Sequence, residues 1–227
     1  MQRTLLCIVR HGETAWNAEG RVQGQLDVPL NAVGVAQARA VAAALQGEPF
    51  SSIYSSDLQR VTQTADPTAR LLGLPVHLDP RLRERHYGMF QTLTYADVKK
   101  LHPEDYARFK SKDPDYDFQT GESLRAFSAR SVDCLGGLAA RHPGESILVF
   151  THGGVLEMAR RFATGASLDT VREFEIPNCG LNRMAIAGSE WSVLGWAECG
   201  HLETALDDLA TSSGRALRAP GAPGRVA

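Results

Sequence analysis

Leu5-Leu6-Cys7-Ile8-Val9, followed at once by Arg10-His11-Gly12, decides how the rest of the chain is read. Five consecutive apolar residues without polar alternation are expected of a parallel strand covered by helices on both faces. The abrupt change to a cation, an imidazole and a glycine marks the carboxyl end of that strand, the side on which open α/β sheets bind ligands. The pattern returns at Ile147-Leu148-Val149-Phe150, which passes through Thr151 into His152-Gly153-Gly154. Two strands therefore deliver two histidines to one sheet edge. The glycines after them let backbone approach an anion closely.

Between and after these strands the chain alternates. Asn31 is placed to cap a helix over Ala32 to Gln46 that Gly47 ends, and Ser52 to Ser55 reads as a short strand. Ser56-x-x-Gln59 has capping-box spacing and opens a further helix, which Pro67 is expected to kink or interrupt. Residues 92 to 119 are polar, aromatic and punctuated by proline, which predicts short helices outside the alternation, set as a cap over a site. Ser123 to Arg141 carries Leu124, Phe127, Leu135 and Leu138 at helical spacing, a helix starts near Val155, and strands are expected at Leu181 to Ala187 and Trp191 to Trp196. The expected fold is a three-layer α/β sandwich with a mainly parallel central sheet, one domain over 1 to 210 with a cap insertion at about 92 to 119. Thr211 to Ala227 holds three Gly, two Pro, three Arg and no acid, the composition of a disordered tail.

Composition removes other classes. With 227 residues the chain can bury a sizeable core, and 43% apolar with 22% charged residues argues against disordered, collagen-like and coiled-coil proteins. A formal charge of −2 is too balanced for sequence-independent nucleic-acid binding, so any phosphate site must be local. Neither a signal-peptide core nor an apolar stretch of about 18 residues is present, which predicts a cytosolic protein without membrane partners. Cys7, Cys134, Cys179 and Cys199 have no short paired spacing and read as reduced structural residues.

Arg10 adjoins His11, and Arg60 falls in the first turn of a helix, where a cation opposes the helix dipole; a bound anion would account for it. Each residue alone has an ordinary structural explanation, but together they converge on one edge. Zinc is the other reading of two histidines. It is disfavoured because they lack short ligand spacing and sit beside two arginines that would repel a divalent cation.

Arg10-His11-Gly12-Glu13-Thr14-x-Trp16-Asn17, Ser56-Asp57-Leu58-x-Arg60 with Gln63-Thr64-Ala65, Glu84 before Tyr87-Gly88, Gly121-Glu122-Ser123 and Thr151-His152-Gly153-Gly154 resemble, in order and spacing, the histidine phosphatase superfamily. These blocks span residues 4 to about 200. The resemblance implies a phosphoglycerate-mutase-like fold, His11 as the nucleophile that becomes phosphorylated, and Arg10, Arg60 and His152 completing the phosphate pocket. It implies Glu84 as proton donor to the leaving alkoxide, with Glu13 a weaker candidate. Asn17 and the Gln23-Gly24 loop resemble family positions that contact phosphate or substrate; Tyr87 and Gly153 join them as substrate-binding candidates, and Tyr87, like Trp16, reads equally as a packing aromatic. A homodimer is common among relatives.

Such a set suits phosphoryl transfer, whose charge-dispersed transition state is met by positioning and fixed cations without metal. Arginines beside His11 also disfavour its protonated form. Arg83-Glu84-Arg85-His86-Tyr87-Gly88-x-x-Gln91 resembles the cofactor-dependent phosphoglycerate mutase branch, which would require 2,3-bisphosphoglycerate. That branch's substrate-binding lysine, however, corresponds to Tyr95, no Arg-Arg pair lies between Gly88 and Gly121, and only Lys99 and Lys100 could substitute. Hydrolysis of a small phosphorylated metabolite, with no cofactor, is therefore expected first and the mutase reaction second. A phosphoryl-binding module without turnover is the non-enzymatic alternative, and the presence of both His11 and Glu84 argues against it.

Overall fold

The computed structural model describes residues 2–203; the expected tail over 211–227 and the domain end at 210 lie outside them. In chain order the elements are β1 (Thr4–Arg10), α1 (Ala15–Ala18), α2 (Ala32–Ala44), β2 (Ser52–Ser55), α3 (Gln59–Leu72), β3 (Val76–Leu78), α4 (Tyr95–Leu101), α5 (Pro103–Lys110), α6 (Leu124–Ala140), β4 (Ser146–Thr151), α7 (Gly153–Thr164), β5 (Leu181–Ala187) and β6 (Glu190–Glu198). The strands form one six-stranded sheet in the order β3-β2-β4-β1-β5-β6. Four of them run parallel, and β5 and β6 form an antiparallel edge beside β1.

The unbroken apolar runs are explained by the layers. Successive side chains of a strand point to opposite faces. Leu6 and Ile8, with Ile147 and Val149, pack against Phe127, Leu135 and Leu156 of α6 and α7. Cys7 and Val9, with Leu148 and Phe150, pack against Val41, Val61 and Ala65 of α2 and α3. Both faces are dry from Leu6 to Val9 and from Ile147 to Phe150, so no position within these runs calls for a polar residue. At their carboxyl ends the chain leaves β1 toward the α2 face and β4 toward the α7 face, which opens a crevice between them. The cap expected at about 92 to 119 contains α4 and α5, and a separate aromatic cluster of Phe90, Val98, Tyr116 and Phe118 holds it. Cys7, Cys134 and Cys179 are buried free thiols and Cys199 is half-buried.

Several local expectations need correction. α3 runs through Pro67 without a break. A proline removes the bond to the carbonyl four residues back and crowds it, here the carbonyl of Gln63, an exposed residue where that carbonyl can tilt outward to water. Ser56 does not build a capping box: Leu58 is the N-cap, without a side-chain bond, and the Gln59 N–H is taken by Asp27 Oδ1 at 2.6 Å. α2 ends at Ala44, earlier than Gln46, with Leu45 as its C-cap. β3, which the sequence reading did not include, extends the sheet beyond β2.

Candidate active site

Arg10 and Thr151 are paired across β1 and β4, so His11 and His152 leave adjacent strands at the same level. The His11 N–H donates to the Thr151 carbonyl at 2.9 Å, and the two imidazole centroids are 5.2 Å apart at 63°. Both side chains are buried.

Hydrogen-bond chemistry assigns their tautomers. His11 Nδ1 lies 2.7 Å from the Gly12 carbonyl oxygen, which can only accept, so Nδ1 carries the proton and Nε2 keeps its lone pair. Arg60 Nη2 lies 3.2 Å from His152 Nδ1; a guanidinium can only donate, so this nitrogen accepts and Nε2 donates to Ser56 Oγ at 3.0 Å. Burial, and then the charges of Arg60 and Arg10, hold the His11 pKa well below the usual histidine value against the opposing bond to Gly12. Burial, Arg60 and His11 depress that of His152 similarly. Both rings are neutral at pH 7.

Arg60, second in α3, is fully buried, and burial lowers its pKa to about 10, which leaves it charged at neutral pH. It is anchored by donating to the carbonyls of Leu26 at 2.8 Å and Gly24 at 2.7 Å. Gly24 has φ +55°, and a Cβ there would meet Gln91 Oε1 at 2.1 Å, so only glycine fits this anchor. Arg10 donates to the Ile176 carbonyl at 2.5 Å. The Nε atoms of Arg10 and Arg60 are buried donors with no acceptor among the described residues. Leaving charged donors unpaired in a buried site is costly, and an anion would satisfy them.

The Glu84 carboxyl is held at both oxygens: Oε1 accepts from the Arg85 N–H at 2.8 Å and Oε2 from the Gly154 N–H at 3.0 Å. Its main chain is pinned as well. The Glu84 carbonyl accepts from Gln25 Nε2 at 3.1 Å and Arg130 Nη2 at 3.3 Å. Arg130 also ties down the Arg81 and Arg83 carbonyls and makes two bonds to the Glu122 carboxylate, at 2.8 and 2.7 Å.

These groups surround a cavity of about 300 Å³. Arg10, His11, Asn17, Gln23, Gly24, Arg60, Glu84 and Tyr87 all line it, as do Trp16 and Tyr95. Thr14 occupies the side-chain oxygens of Asn17 (3.1 Å) and Gln23 (3.0 Å), which leaves their amide N–H groups as donors to the cavity. His152 and Gly153 stand behind the wall: His152 supports Arg60, and a Cβ on Gly153 would lie 3.5 Å from Arg10 Nε. Glu13 is outside the cavity and accepts from Asn31 Nδ2 at 2.8 Å. Lys99 and Lys100 are exposed on α4 and do not reach it. Ser56, Gln25 and Arg130 were missed by sequence reasoning. Ser56 was read as a cap and as part of the block Ser56-Asp57-Leu58-x-Arg60 but given no role in the site, and Arg130 sits seven positions after Ser123, a spacing with no local signature. Among the described residues no group of three or more His, Cys, Asp or Glu could hold a metal ion, and no helix is long and apolar enough to cross a membrane.

The model of the histidine phosphatase superfamily (branch 1) matches residues 6–198. Phosphoglycerate mutase-like protein 4 of Arabidopsis thaliana is 41% identical over 202 residues, covering 87% of this chain and 86% of that protein. A metal-independent phosphoserine phosphatase of the same plant is 37% identical over 204 residues, covering 88% and 84%. Among solved structures, YhfR of Bacillus stearothermophilus superposes with a TM-score of 0.82 at 28% identity, covering 88% of this chain and all of that one. The phosphoserine phosphatase of Entamoeba histolytica in complex with 3-phosphoglyceric acid gives 0.79 at 27% identity, covering 88% and 99%.

Proposed function

This chain belongs to the histidine phosphatase superfamily, and from that premise we propose that it is a metal-independent phosphomonoesterase that hydrolyses a small phosphorylated metabolite through a phosphohistidine at His11. The chief support is the bond from His11 Nδ1 to the Gly12 carbonyl, which leaves Nε2 unprotonated in a cavity whose wall includes Arg10 and Arg60.

In the first step the Nε2 lone pair attacks phosphorus, the bond to the ester oxygen breaks, and Glu84 gives its proton to the departing alkoxide. In the second, Glu84 takes a proton from water, the water oxygen bonds to phosphorus, and the P–N electron pair returns to Nε2 as phosphate leaves. Arg10 and Arg60 neutralise the equatorial oxygens, with Asn17 and Gln23 donating beside them. His152 acts from behind by fixing Arg60. These cations supply the charge stabilisation that a metal gives other phosphatases. The metal-independent phosphoserine phosphatase among the relatives supports the same reading.

A phosphoglycerate mutase must hold a second phosphate close to the first, which calls for fixed cations. Tyr95 stands in the cavity wall where that branch is expected to have lysine, Lys99 and Lys100 do not line the cavity, and Arg21, which does, is already engaged by the Glu19 carboxylate at 2.6 Å and the Thr92 carbonyl at 2.8 Å. Hydrolysis is favoured, and 2,3-bisphosphoglycerate is not required. The test is turnover of primary alkyl phosphates with and without 2,3-bisphosphoglycerate, combined with mass spectrometry of enzyme quenched during turnover in base, where phosphohistidine survives. Phosphate on His11, absent from folded His11→Ala, is expected. Phosphate on another residue, or on none, would refute the mechanism, and activity that needs the bisphosphate would reinstate the mutase.

A further inference from the structure

A second cavity, of about 530 Å³, opens on the cap side of Tyr87 and Tyr95, which line both cavities. The Glu84 carboxyl stands where they meet: it lines the first, and Gly154, whose N–H holds Oε2 at 3.0 Å, lines the second. An ester whose phosphorus lies over His11 and whose bridging oxygen faces Glu84 therefore carries its alcohol portion into the second cavity.

That cavity is walled by apolar groups from three directions. Phe109 comes from the cap, Phe127 and Met158 from α6 and α7, and Leu168 and Val171 from the segment after α7. Its acids are already neutralised. Glu157 is met by Arg161 Nη2 at 2.9 Å and Arg172 Nη1 at 3.3 Å, and Asp113 by Arg108 Nη2 at 2.9 Å. Of its cations, Arg172 is used in that pairing, and the other three have no acid partner among the described residues. Arg85 donates only to the carbonyls of Glu122 and Tyr116, at 2.8 and 2.9 Å, Lys112 Nζ bonds only to the Thr170 carbonyl, and Lys110 has no ion-pair partner among the described residues.

Resting on the phosphomonoesterase reading, we infer that this second cavity is a leaving-group subsite, and that the preferred substrate is the phosphate ester of an elongated amphipathic alcohol with an apolar or aromatic body and an anionic end. The body lies between α7 and the cap, and the anion reaches Lys110 and Lys112. Serine and glycerate esters have no apolar body to bury here, so phosphoserine and phosphoglycerate are poor substrates of this chain.

Three primary alkyl phosphates separate the contributions while keeping the leaving group an alkoxide: ethyl phosphate, 2-phenylethyl phosphate and 4-(2-phosphooxyethyl)benzoate. Burying the phenyl ring is expected to raise kcat/KM on the order of 10-fold or more over ethyl phosphate. The carboxylate, paired at a partly exposed rim, should add about two- to five-fold. In Lys110→Glu/Lys112→Glu the benzoate should fall below the phenylethyl ester, and in Leu168→Asp the phenylethyl-to-ethyl ratio should collapse. Ratios within one variant do not depend on how much of it is folded. Equal rates for the first two esters, or phosphoserine outpacing 2-phenylethyl phosphate, would overturn the subsite while leaving the phosphatase standing. Absence of turnover and of phosphohistidine with every ester would instead overturn the phosphomonoesterase reading, and the subsite with it.

Discussion

Replacing Gly154 by alanine puts a carbon where Glu84 already is. A Cβ at this position lies 2.1 Å from Glu84 Oε1 and 2.9 Å from two ring carbons of Phe127. Phe127 is only 1% exposed and belongs to the core between sheet and helices, whereas the carboxyl stands at a cavity edge, so the carboxyl is the group that yields. It must retreat by about 1 Å, a displacement that for a reacting group can cost on the order of 10²-fold in rate. Gly154 is the second residue of α7, and the gain of up to about 1 kcal/mol from alanine in a helix is set against about 1–3 kcal/mol for crowding the buried Phe127 ring, so the variant should fold with a modest loss of stability. The expected signature is selective. Phosphorylation of His11 by ethyl phosphate, whose alkoxide must be protonated as it leaves, should slow about 10²-fold. Phosphorylation by p-nitrophenyl phosphate, whose phenolate leaves without help, should slow by only a few-fold. Rapid-quench measurement of the phosphoenzyme burst reads the first step alone, and thermal unfolding of the same preparation checks the fold. Equal losses with both substrates would mean that the methyl disturbs the phosphate pocket, and no loss would mean that Glu84 is not the acid; either refutes the reasoning.

Glu84→Gln keeps the shape and loses the proton; in the same burst assay it should slow ethyl phosphate by about 10² to 10⁴ and p-nitrophenyl phosphate much less, and a common factor would move the search to another acid. Arg130→Met leaves the Glu84 loop without its clamp and should show the leaving-group dependence of Glu84→Gln in weaker form; a loss shared equally by both esters would count against a positioning role. Activity should survive exhaustive treatment with EDTA, and loss restored by zinc or magnesium would refute charge stabilisation by Arg10 and Arg60. His11 and His152 are held neutral when folded, their pKa values pushed well below the ordinary histidine value of about 6.5 by burial and the neighbouring arginines. Below about pH 6.5 the unfolded chain takes up protons that the folded chain refuses, so stability should fall with decreasing pH toward the folded values, by up to about 1.4 kcal/mol per pH unit for each histidine. Urea unfolding at pH 7, 6 and 5 should show this slope and its reduction in His152→Asn; identical slopes would contradict the burial described.

The central strands could be read from sequence because burial on both faces leaves an unmistakable apolar run, and the histidines because they sit where each run stops. β3 could not: Val76-His77-Leu78 is an edge strand in which only Val76 is even half-buried, so no periodicity marks it. Pro67 misled because a proline's cost depends on which carbonyl it frees, and Gln63 faces water. Ser56 carries the right residue type at the right spacing for a cap, yet its hydroxyl serves an imidazole 96 residues away, a partner created only by the sheet order. The same is true of Arg130, whose grip on the Glu84 loop depends on α6 crossing beneath it. Local chemistry is written locally, whereas the supports of the site are written in topology.

The adjacency of β1 and β4 has a consequence for how such a protein can change. Neighbouring strands are about 4.8 Å apart because backbone hydrogen bonding makes them so, and the imidazole centroids, at 5.2 Å, stay close to that rung spacing. The sheet thus works as a ruler whose gradations no side-chain substitution can redraw. Drift in the cap and around Leu168 to Arg172 can reshape the alcohol side, while Ile176, Asn178 and Cys179 further along the same segment stay bonded to Arg10 and His11 at the ruler's edge. A lineage built this way can trade one ester for another without ever having to reinvent how the ester is broken.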